Sequence, residues 1–416
     1  MNFASAGFYS AVATAARLVA ALVVLKVVAW LAGPAGVGRL GQFLSLMSLL
    51  AVLAGGGIST GIIKYVAEYR NDPQRLPRLL AAALFYALCA AVVTGCAALV
   101  FSRQLSVWLL GDAHYENLIR LLAVAQIGIA LVNYILAVIN GFMDVRRLAV
   151  IQVLGSILSI AMVVWLSRWL HLFGALFALI ISQLLWLAVA LPALRRSPYF
   201  RRDMFRIRFD RAMTRRLAAF SLMTLSSALL GPLVNIAVRN HLAARFGWAQ
   251  TGNWQAVSKV SDAYLLFLTT AINVYYLPKL ASIHARHELV DELRNAFRHL
   301  LPIVIIAAAA IYLLRNWITR LLFTADFTSA ASLYGPQLLG DVVKIASFVL
   351  SYLMLAKAMT RLFVVSELIF AGTYLALVFV LTAHFGLIGA MYAFALNYLL
   401  YFAFNVLVAR RYLART

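Results

Sequence analysis

The feature of this sequence that most restricts its fold is a long series of apolar stretches separated by short polar connections. About 20 mostly apolar residues in a helix are enough to cross the hydrocarbon core of a bilayer. Because backbone polar groups find no water in that core, such a series predicts a bundle of transmembrane α-helices. The composition agrees, since 64% of the 416 residues are apolar and only 12% are charged, which excludes an ordinary soluble domain.

We assign twelve transmembrane spans from these stretches. The first six cover residues 8–32, 40–66, 78–101, 117–140, 147–167 and 172–194, and the second six cover residues 217–245, 252–277, 294–314, 332–356, 361–383 and 387–409. The most polar connection, residues 195–216, carries nine arginines and lies between spans 6 and 7. It predicts a boundary between two lobes, residues 1–200 with spans 1–6 and residues 201–416 with spans 7–12.

The distribution of lysine and arginine predicts the orientation. With the N-terminus placed inside, 24 of these residues fall on one side of the membrane and seven on the other. The positive-inside rule then puts both termini and the 195–216 linker in the cytoplasm, with the protein crossing the membrane many times. Tryptophans near the predicted outer ends agree with an interfacial belt, and they are Trp30, Trp108, Trp165, Trp169, Trp248, Trp254 and Trp317. Topology therefore explains most of the net charge of +22, and nucleic acid is not an expected partner.

The two halves of the sequence resemble each other. The segment at 172–180, LFGALFALI, aligns with LIGAMYAFA at 387–395 at an offset of 215. Gly33 and Gly38 align with Gly247 and Gly252 at an offset of 214. Six helices return the chain to its starting side, so the pattern predicts two parallel six-helix repeats, as in transporters in which one half moves against the other.

Several charges lie deep in the spans, where an ionisable group costs roughly 2.5 to 3.5 kcal/mol and therefore usually faces a partner or a wet cavity. They are Arg17, Lys26, Lys259, Asp262, Asp341, Lys344 and Glu367. Lys259 with Asp262 and Asp341 with Lys344 are neighbours on one helix face, so each pair is either structural or functional. The charges nearer the span ends can reach the interface by snorkelling, and these are Arg39, Lys64, Arg120 and Arg239.

The deep set contains four cations against three anions, which favours an anionic substrate in a low-dielectric cavity. Arg17 and Lys26 have no acidic residue within their own span. Nine residues place them on opposite faces of a straight helix, so both reach one cavity only if the helix bends or one of them meets an acid elsewhere. Glu367 is a candidate for an acid that couples transport to an ion.

Signatures of enzymes and cofactors are missing from the sequence. No predicted outer connection exceeds about fifteen residues, which leaves no room for the catalytic region of a glycosyltransferase or polymerase. No glycine-rich phosphate loop with lysine is present, which argues against an ATPase. We expect a transporter with no catalytic residues, no cofactor and no metal.

Particular segments resemble a known family. They are GPAGVG at 33–38, KYVAEY at 64–69, NDPQ at 71–74, GNWQAVSKVSDAY at 252–264 and QLLGDVVK at 337–344. These segments resemble the Wzx-type flippases of the MOP exporter superfamily, and most of all the lipid III type that serves enterobacterial common antigen. The likeness runs in the same order over essentially the whole chain.

This resemblance implies a two-lobe fold with spans 1, 2, 7 and 8 around a central cationic cavity. It also implies transport of an undecaprenyl-diphosphate-linked oligosaccharide, of the lipid III or O-antigen-unit type, to the periplasmic leaflet by alternating access. The polymerase and chain-length machinery of the same pathway are possible partners. The candidate substrate-binding residues are Arg17, Lys26, Arg39, Lys64, Arg239, Lys259, Asp262, Asp341 and Lys344.

Within this set, Lys259 departs from the lipid III type, which tends to carry a small polar residue there, and an added cation suits a more acidic glycan. Two alternatives remain open. A multidrug exporter of the same superfamily would need an excess of unpaired acids in the cavity, and a membrane glycosyltransferase or polymerase would need carboxylates beside a metal.

Overall fold

The structure of the protein, a computed structural model, describes residues 3–207, 209–272, 276–283 and 285–414. These residues form helices joined by short turns, and no β-strand occurs among them. The α-helices of the first half are α1 (Phe3–Ala54), α2 (Ser59–Tyr69), α3 (Arg75–Val100), α4 (Ser102–Leu110), α5 (Glu116–Gly141) and α6 (Val145–Arg195). Those of the second half are α7 (Arg211–Ala271), α8 (Leu277–Ser282), α9 (Arg286–Leu322), α10 (Tyr334–Ala356), α11 (Thr360–Phe385) and α12 (Gly389–Leu413).

The described helices are long enough for twelve passes through a membrane. The twelve helices α1 to α12 do not correspond to the passes one to one. Seven stretches of the described chain are long and apolar enough to span a bilayer. Three of them are 48, 51 and 54 residues long, which is enough for two passes each, and each contains one residue with a left-handed backbone. Helix α7, with 61 residues and a left-handed Gly247, is long enough for two more. The prediction of about twelve spans is confirmed.

The predicted internal repeat is confirmed by the backbone itself. Left-handed residues join successive passes at equivalent places, with Gly33 matching Gly247 at an offset of 214 and His171 matching Gly386 at 215. Met143 and Ala358, which are also left-handed, match at the same offset of 215. Residues other than glycine rarely adopt positive φ, so the recurrence of these positions at offsets of 214 and 215 indicates that the two repeats make these three turns in the same way.

The first compact unit contains the chain up to Ala32 and the segment Arg39–Ile236. Helix α5 lies at the centre of this unit. Two thirds of the most apolar stretch of this span is buried, and α5 packs against α2, α3 and α6. The linker also packs here, because Met204 is 1% exposed and its carbonyl accepts a 2.6 Å hydrogen bond from the Tyr134 hydroxyl. The compact unit therefore extends beyond the predicted lobe boundary at residue 200, which describes the sequence repeats rather than the packing.

A break inside predicted span 2 belongs to the same unit. Gly56 and Gly57 are left-handed and separate α1 from α2. The carbonyl oxygens that this break frees accept hydrogen bonds from Ser221 and Thr224 of α7. At Pro232 of α7, in contrast, the backbone remains helical, so this proline does not break the helix.

The second compact unit contains Gly33–Gly38 and the chain from Ala237 onwards. Helix α10 is its centre, equivalent to α5, and packs against α9 and α12, while α11 packs on α12. The segment 33–38 crosses residues 248–252 so closely that a Cβ atom on Gly252 would lie 1.7 Å from the Pro34 carbonyl oxygen. Glycine is required at this crossing, because any side chain would overlap the facing backbone.

Candidate functional site

Arg17 and Lys26 lie in the first pass, and both side chains are exposed. Neither has a hydrogen-bond or ion-pair partner among the side chains that the structure describes. The backbone is helical from Phe3 to Ala32, so the two side chains leave opposite faces of the helix. The structure therefore brings each to the surface without bringing them together.

Arg39 and Lys64 lie at opposite ends of the second pass. The Arg39 side chain is half-buried and its Nε donates to the carbonyl oxygen of Leu110, at 3.3 Å, at the end of α4. Lys64 is exposed, with its ammonium group 5.3 Å from the centre of the Tyr65 ring. Contacts of this kind agree with side chains that reach the membrane interface.

Arg239 is buried instead of snorkelling, so that interpretation was wrong for this residue. Its side chain is 4% exposed, its Nε donates to Gln255 Oε1 at 2.6 Å, and its guanidinium lies 5.7 Å from the centre of the Trp254 ring. Trp254 is itself 4% exposed and therefore is not part of an interfacial belt. The aromatic face replaces part of the hydration that the cation loses on burial.

Lys259 and Asp262 form the ion pair that their spacing predicted. Lys259 Nζ lies 2.8 Å from Asp262 Oδ2, and the two side chains are 37% and 55% exposed. The Asp262 carboxylate also interacts electrostatically with Arg239 and with Lys344. Asp341 interacts electrostatically with Lys344 as well, so three cations face two carboxylates and the cluster keeps one excess positive charge.

Asp341 does not form an ion pair with Lys344 among the described side chains. Its carboxylate is fully buried and accepts hydrogen bonds from Ser261 at 2.6 Å, Tyr264 at 2.9 Å and Gln337 at 3.0 Å. These neutral donors satisfy the carboxylate and attach α10 to α7, which a lysine on the same helix could not do. Of the two alternatives left open for Asp341 and Lys344, neutralisation of one by the other through a direct ion pair therefore does not occur.

Lys344 lies among aromatic rings. Its ammonium group is 5.5 Å from the centre of the Tyr398 ring, 5.6 Å from Phe394 and 5.9 Å from Phe348. Asp262 and Asp341 also interact with it electrostatically, at longer range than a direct ion pair. The aromatic rings therefore stabilise the charge of the lysine, and the Tyr398 side chain adds a hydrogen bond.

Glu367 is half-buried in α11 and accepts a 3.2 Å hydrogen bond from the Tyr401 hydroxyl of α12. Among the described residues, no direct hydrogen bond joins Glu367 to Asp262 or Lys344, but Tyr398, whose ring lies beside Lys344, interacts electrostatically with both Glu367 and Asp262. Among the described residues, no three His, Cys, Asp or Glu side chains lie close enough together to hold a metal ion.

The sequence identified the charges but missed their neutral partners. Gln337 lies four residues before Asp341 on one helix face, and Phe394, Tyr398 and Tyr401 share a face of α12, so both sets had a helical spacing that could have indicated them. Ser261 and Tyr264 had no such signal, because they reach Asp341 from another helix.

Comparison with known sequences gives a near full-length likeness. Residues 4–284 match the family described as polysaccharide biosynthesis protein. The chain is 32% identical over 407 residues to the lipid III flippase of Escherichia coli K12, with 97% of each chain covered. It is equally similar to the lipid III flippase of Shigella flexneri.

Solved structures share the fold at low sequence identity. An inward-facing multidrug resistance MATE family transporter of the MOP superfamily has a TM-score of 0.79 at 14% identity, covering 97% of this chain and 98% of that one. The lipid II flippase MurJ in an inward closed conformation has a TM-score of 0.72 at 14% identity, covering 96% and 87%. The predicted two-lobe fold of MOP transporters is confirmed by these likenesses, which at such identity concern the fold alone.

Proposed function

Because the chain belongs to the polysaccharide biosynthesis protein family, we propose that it is a flippase for an undecaprenyl-diphosphate-linked oligosaccharide. It moves this lipid from the cytoplasmic to the periplasmic leaflet of the bacterial inner membrane by alternating access. The observation that carries the proposal is the 32% identity to lipid III flippases over 97% of both chains. A relation of this length leaves no segment of the chain for a separate catalytic domain.

The charges of the second unit support an anionic substrate. Arg239, Lys259 and Lys344 all interact with Asp262, and two of these cations, Arg239 and Lys344, rest against aromatic rings. A diphosphate carries more charge and more acceptor oxygens than one carboxylate, so it can replace Asp262 as the counter-ion of this cluster. We assign binding of the diphosphate to Arg239, Lys259 and Lys344, with Asp262 as the competing internal anion.

The exposed cations of the first unit have a complementary role in this proposal. Arg17 and Lys26 lack protein partners among the described residues, so their charges are available to diphosphate or acidic sugar groups. Arg39 and Lys64 supply further positive charge at the two ends of the second pass, and Lys259 suits a glycan that carries acidic groups. Glu367, attached to Tyr401, is the proposed coupling acid.

The orientation and the moving parts are proposed on separate grounds. The 24 to 7 division of lysine and arginine supports cytoplasmic termini. We propose the two repeats, residues 1–200 and 201–416, as the parts that alternate during transport, and the polymerase and chain-length machinery of the same pathway as partners that receive the product.

A multidrug exporter is the second candidate, because a MATE transporter shares the fold. Cationic drugs would need more carboxylates than cations at the site, whereas Asp262 pairs with Lys259 and interacts electrostatically with Arg239 and Lys344, and Asp341 is occupied by neutral donors. The charge arrangement therefore favours the anionic lipid.

The proposal is tested in cells whose own lipid III flippase has been deleted and which express this protein. We expect wild-type protein to prevent accumulation of lipid-linked precursor, and Arg17→Ala with Lys26→Ala to restore accumulation at a normal membrane level. Arg103→Ala is the matched control, since it removes an exposed cation from the short helix α4. If the double variant transports like wild type, the assignment of these two cations is wrong, and if wild-type protein never relieves accumulation, the proposed substrate is wrong.

A further inference from the structure

A groove of about 620 Å³ lies between the two passes of α6, at the start of the first pass and the end of the second. Its rim carries Arg146, Arg147 and Arg196 with Asp144, and its wall carries Val150 and Leu154 from one pass and Val189 from the other. The groove thus combines a basic rim with an apolar wall. Nothing in the transport site described above uses these residues.

Arg147 fixes the geometry of the rim. It forms an ion pair with Asp144, and its Nη2 donates to the carbonyl oxygen of Arg196 at 3.1 Å, which ties the two passes together. The Tyr199 hydroxyl donates to Asp144 Oδ2, the same oxygen that pairs with Arg147, at 3.2 Å, and the Tyr199 ring stacks on Phe142 with 4.0 Å between the ring centres. Burial raises the pKa of Tyr199 to about 12, so its hydroxyl stays protonated and keeps donating at neutral pH.

Arg146 and Arg196 differ from Arg147 in their exposure and in their partners. Both side chains are exposed, both line the groove, and neither has an acidic partner among the residues that the structure describes. Because the Asp144 carboxylate is paired with Arg147, it does not neutralise the guanidinium groups of Arg146 and Arg196. A guanidinium group binds phosphate oxygens through paired N–H donors.

The wall below the rim is apolar and accessible. Val150 is 46% exposed and Leu154 45% exposed, one turn apart on α6 and further into the apolar pass. Acyl chains of a lipid can cover such a surface, whereas a soluble anion would leave it uncovered. The charges lie at the polar end of the passes and the aliphatic side chains lie toward the middle, which is the order of groups in a phospholipid.

We infer that this groove binds an anionic phospholipid of the cytoplasmic leaflet, with its phosphate on Arg146 and Arg196 and its acyl chains along Val150 and Leu154. Basic pockets between transmembrane helices on the cytoplasmic side are suited to such headgroups, and cardiolipin offers two phosphates for the two arginines. The leaflet rests on the proposed orientation, while binding itself does not depend on the proposed transport.

The second repeat offers a matched comparison. At an offset of 215, Arg361 and Arg411 correspond to Arg146 and Arg196, but Met359 and Leu362 stand where Asp144 and Arg147 form the anchor. The second pair therefore has the same charge without the ion pair that organises the rim. If lipid binding came only from general attraction between basic residues and an acidic bilayer, both arginine pairs would contribute equally to it.

The test uses purified full-length protein, delipidated in detergent and titrated with cardiolipin, phosphatidylglycerol or phosphatidylethanolamine under native mass spectrometry. We expect wild-type protein to retain cardiolipin over phosphatidylethanolamine. Arg146→Gln with Arg196→Gln should weaken cardiolipin binding by about 10- to 30-fold, the effect of two lost cations near a lipid surface. Arg361→Gln with Arg411→Gln should change it much less, and Arg146→Lys with Arg196→Lys should recover part of it.

Four results would overturn the inference. Equal losses in the two glutamine variants would mean attraction to basic surface in general, and unchanged binding in the Arg146 and Arg196 variant would mean that the groove is not the site. Displacement of cardiolipin by undecaprenyl diphosphate at lower concentration would assign the groove to the transport substrate. Transport without cardiolipin binding would contradict this inference alone and leave the proposed function intact.

Discussion

Asp341 is a buried carboxylate whose oxygens are occupied by neutral donors from α7 and α10. Taking a charge out of water costs several kcal/mol unless hydrogen bonds replace its hydration. Ser261, Tyr264 and Gln337 supply those bonds, and they in turn depend on Asp341 as their acceptor. The residue therefore joins two helices, and its removal leaves buried donors without a partner.

We predict that Asp341→Ala lowers the stability of the folded protein by about 1 to 3 kcal/mol for each donor left unsatisfied. Because no ion pair joins Asp341 to Lys344, the added change Lys344→Ala should fail to restore stability. Thermal unfolding of purified protein, together with its membrane level, measures both effects. Asp341→Asn is the control, since an amide keeps one acceptor and should be milder.

The opposite result has a clear meaning. Recovery of both stability and membrane level in the double variant would show that the two charges compensate each other, as a simple i, i+3 pair does. The sequence predicted the depth of both charges correctly but not their partners. Spacing on one helix fixes which Cβ atoms are neighbours, whereas the choice of partner depends on side chains from α7 and α12.

At the scale of helices, glycines set how closely two passes approach each other. Gly38 and Gly252 are equivalent in the two repeats and both lie in the second compact unit. A Cβ atom on Gly38 would lie 2.9 Å from the Trp248 carbonyl oxygen, and one on Gly252 would lie 1.7 Å from that of Pro34. Both neighbours are backbone atoms, which cannot rotate away.

Gly252→Ala is therefore predicted to destabilise the protein more than Gly38→Ala, by at least the roughly 1 to 3 kcal/mol typical of overpacking. Gly231→Ala is the control, because a Cβ there meets nothing within 4 Å and alanine favours a helix. Thermal unfolding of the three variants ranks them. Equal stability of the Gly252 and Gly231 variants would mean that the two segments do not cross as described.

The spans and the repeat could be predicted because apolar length and helix-end residues are local signals. The sequence could not predict that α1, α6 and α7 each continue through two passes. In each of these helices a single residue of positive φ joins the two passes without a polar loop, and these residues are Gly33, His171 and Gly247. The break at Gly56 and Gly57 depends on Ser221 and Thr224, which lie far away in the sequence.

At the scale of the molecule, repeats and compact units do not coincide. The linker carries nine arginines and reads as a boundary, yet Met204 and the start of α7 pack with the first unit up to Ile236. Charge predicts which side of a membrane a segment occupies, but a few buried apolar groups within it decide where it packs. The composition of the linker could not reveal the Tyr134 contact.

Cytoplasmic placement of the linker is predicted to make Pro198→Cys reactive from the inside alone. Pro198 is exposed, whereas the neighbouring Ser197 is 8% exposed and would be a poor probe. The native Cys89 and Cys96 are exposed and must first be replaced by serine. Labelling of intact cells with a membrane-impermeant maleimide should give no signal until the inner membrane is opened, and strong labelling from the periplasm would reverse the topology.

We propose that this protein itself moves a diphosphate-linked glycan lipid across a bilayer. Purified protein in vesicles, supplied with a fluorescent undecaprenyl-diphosphate-linked oligosaccharide, measures this directly through quenching from outside. We expect lipid exchange between the leaflets to be much faster with wild-type protein than in empty vesicles. The double variant Lys344→Ala with Arg239→Lys should lose this exchange at an equal amount of folded protein. The variant Gly231→Ala should keep the wild-type rate. Exchange no faster than in empty vesicles, with folded wild-type protein present, would contradict the account.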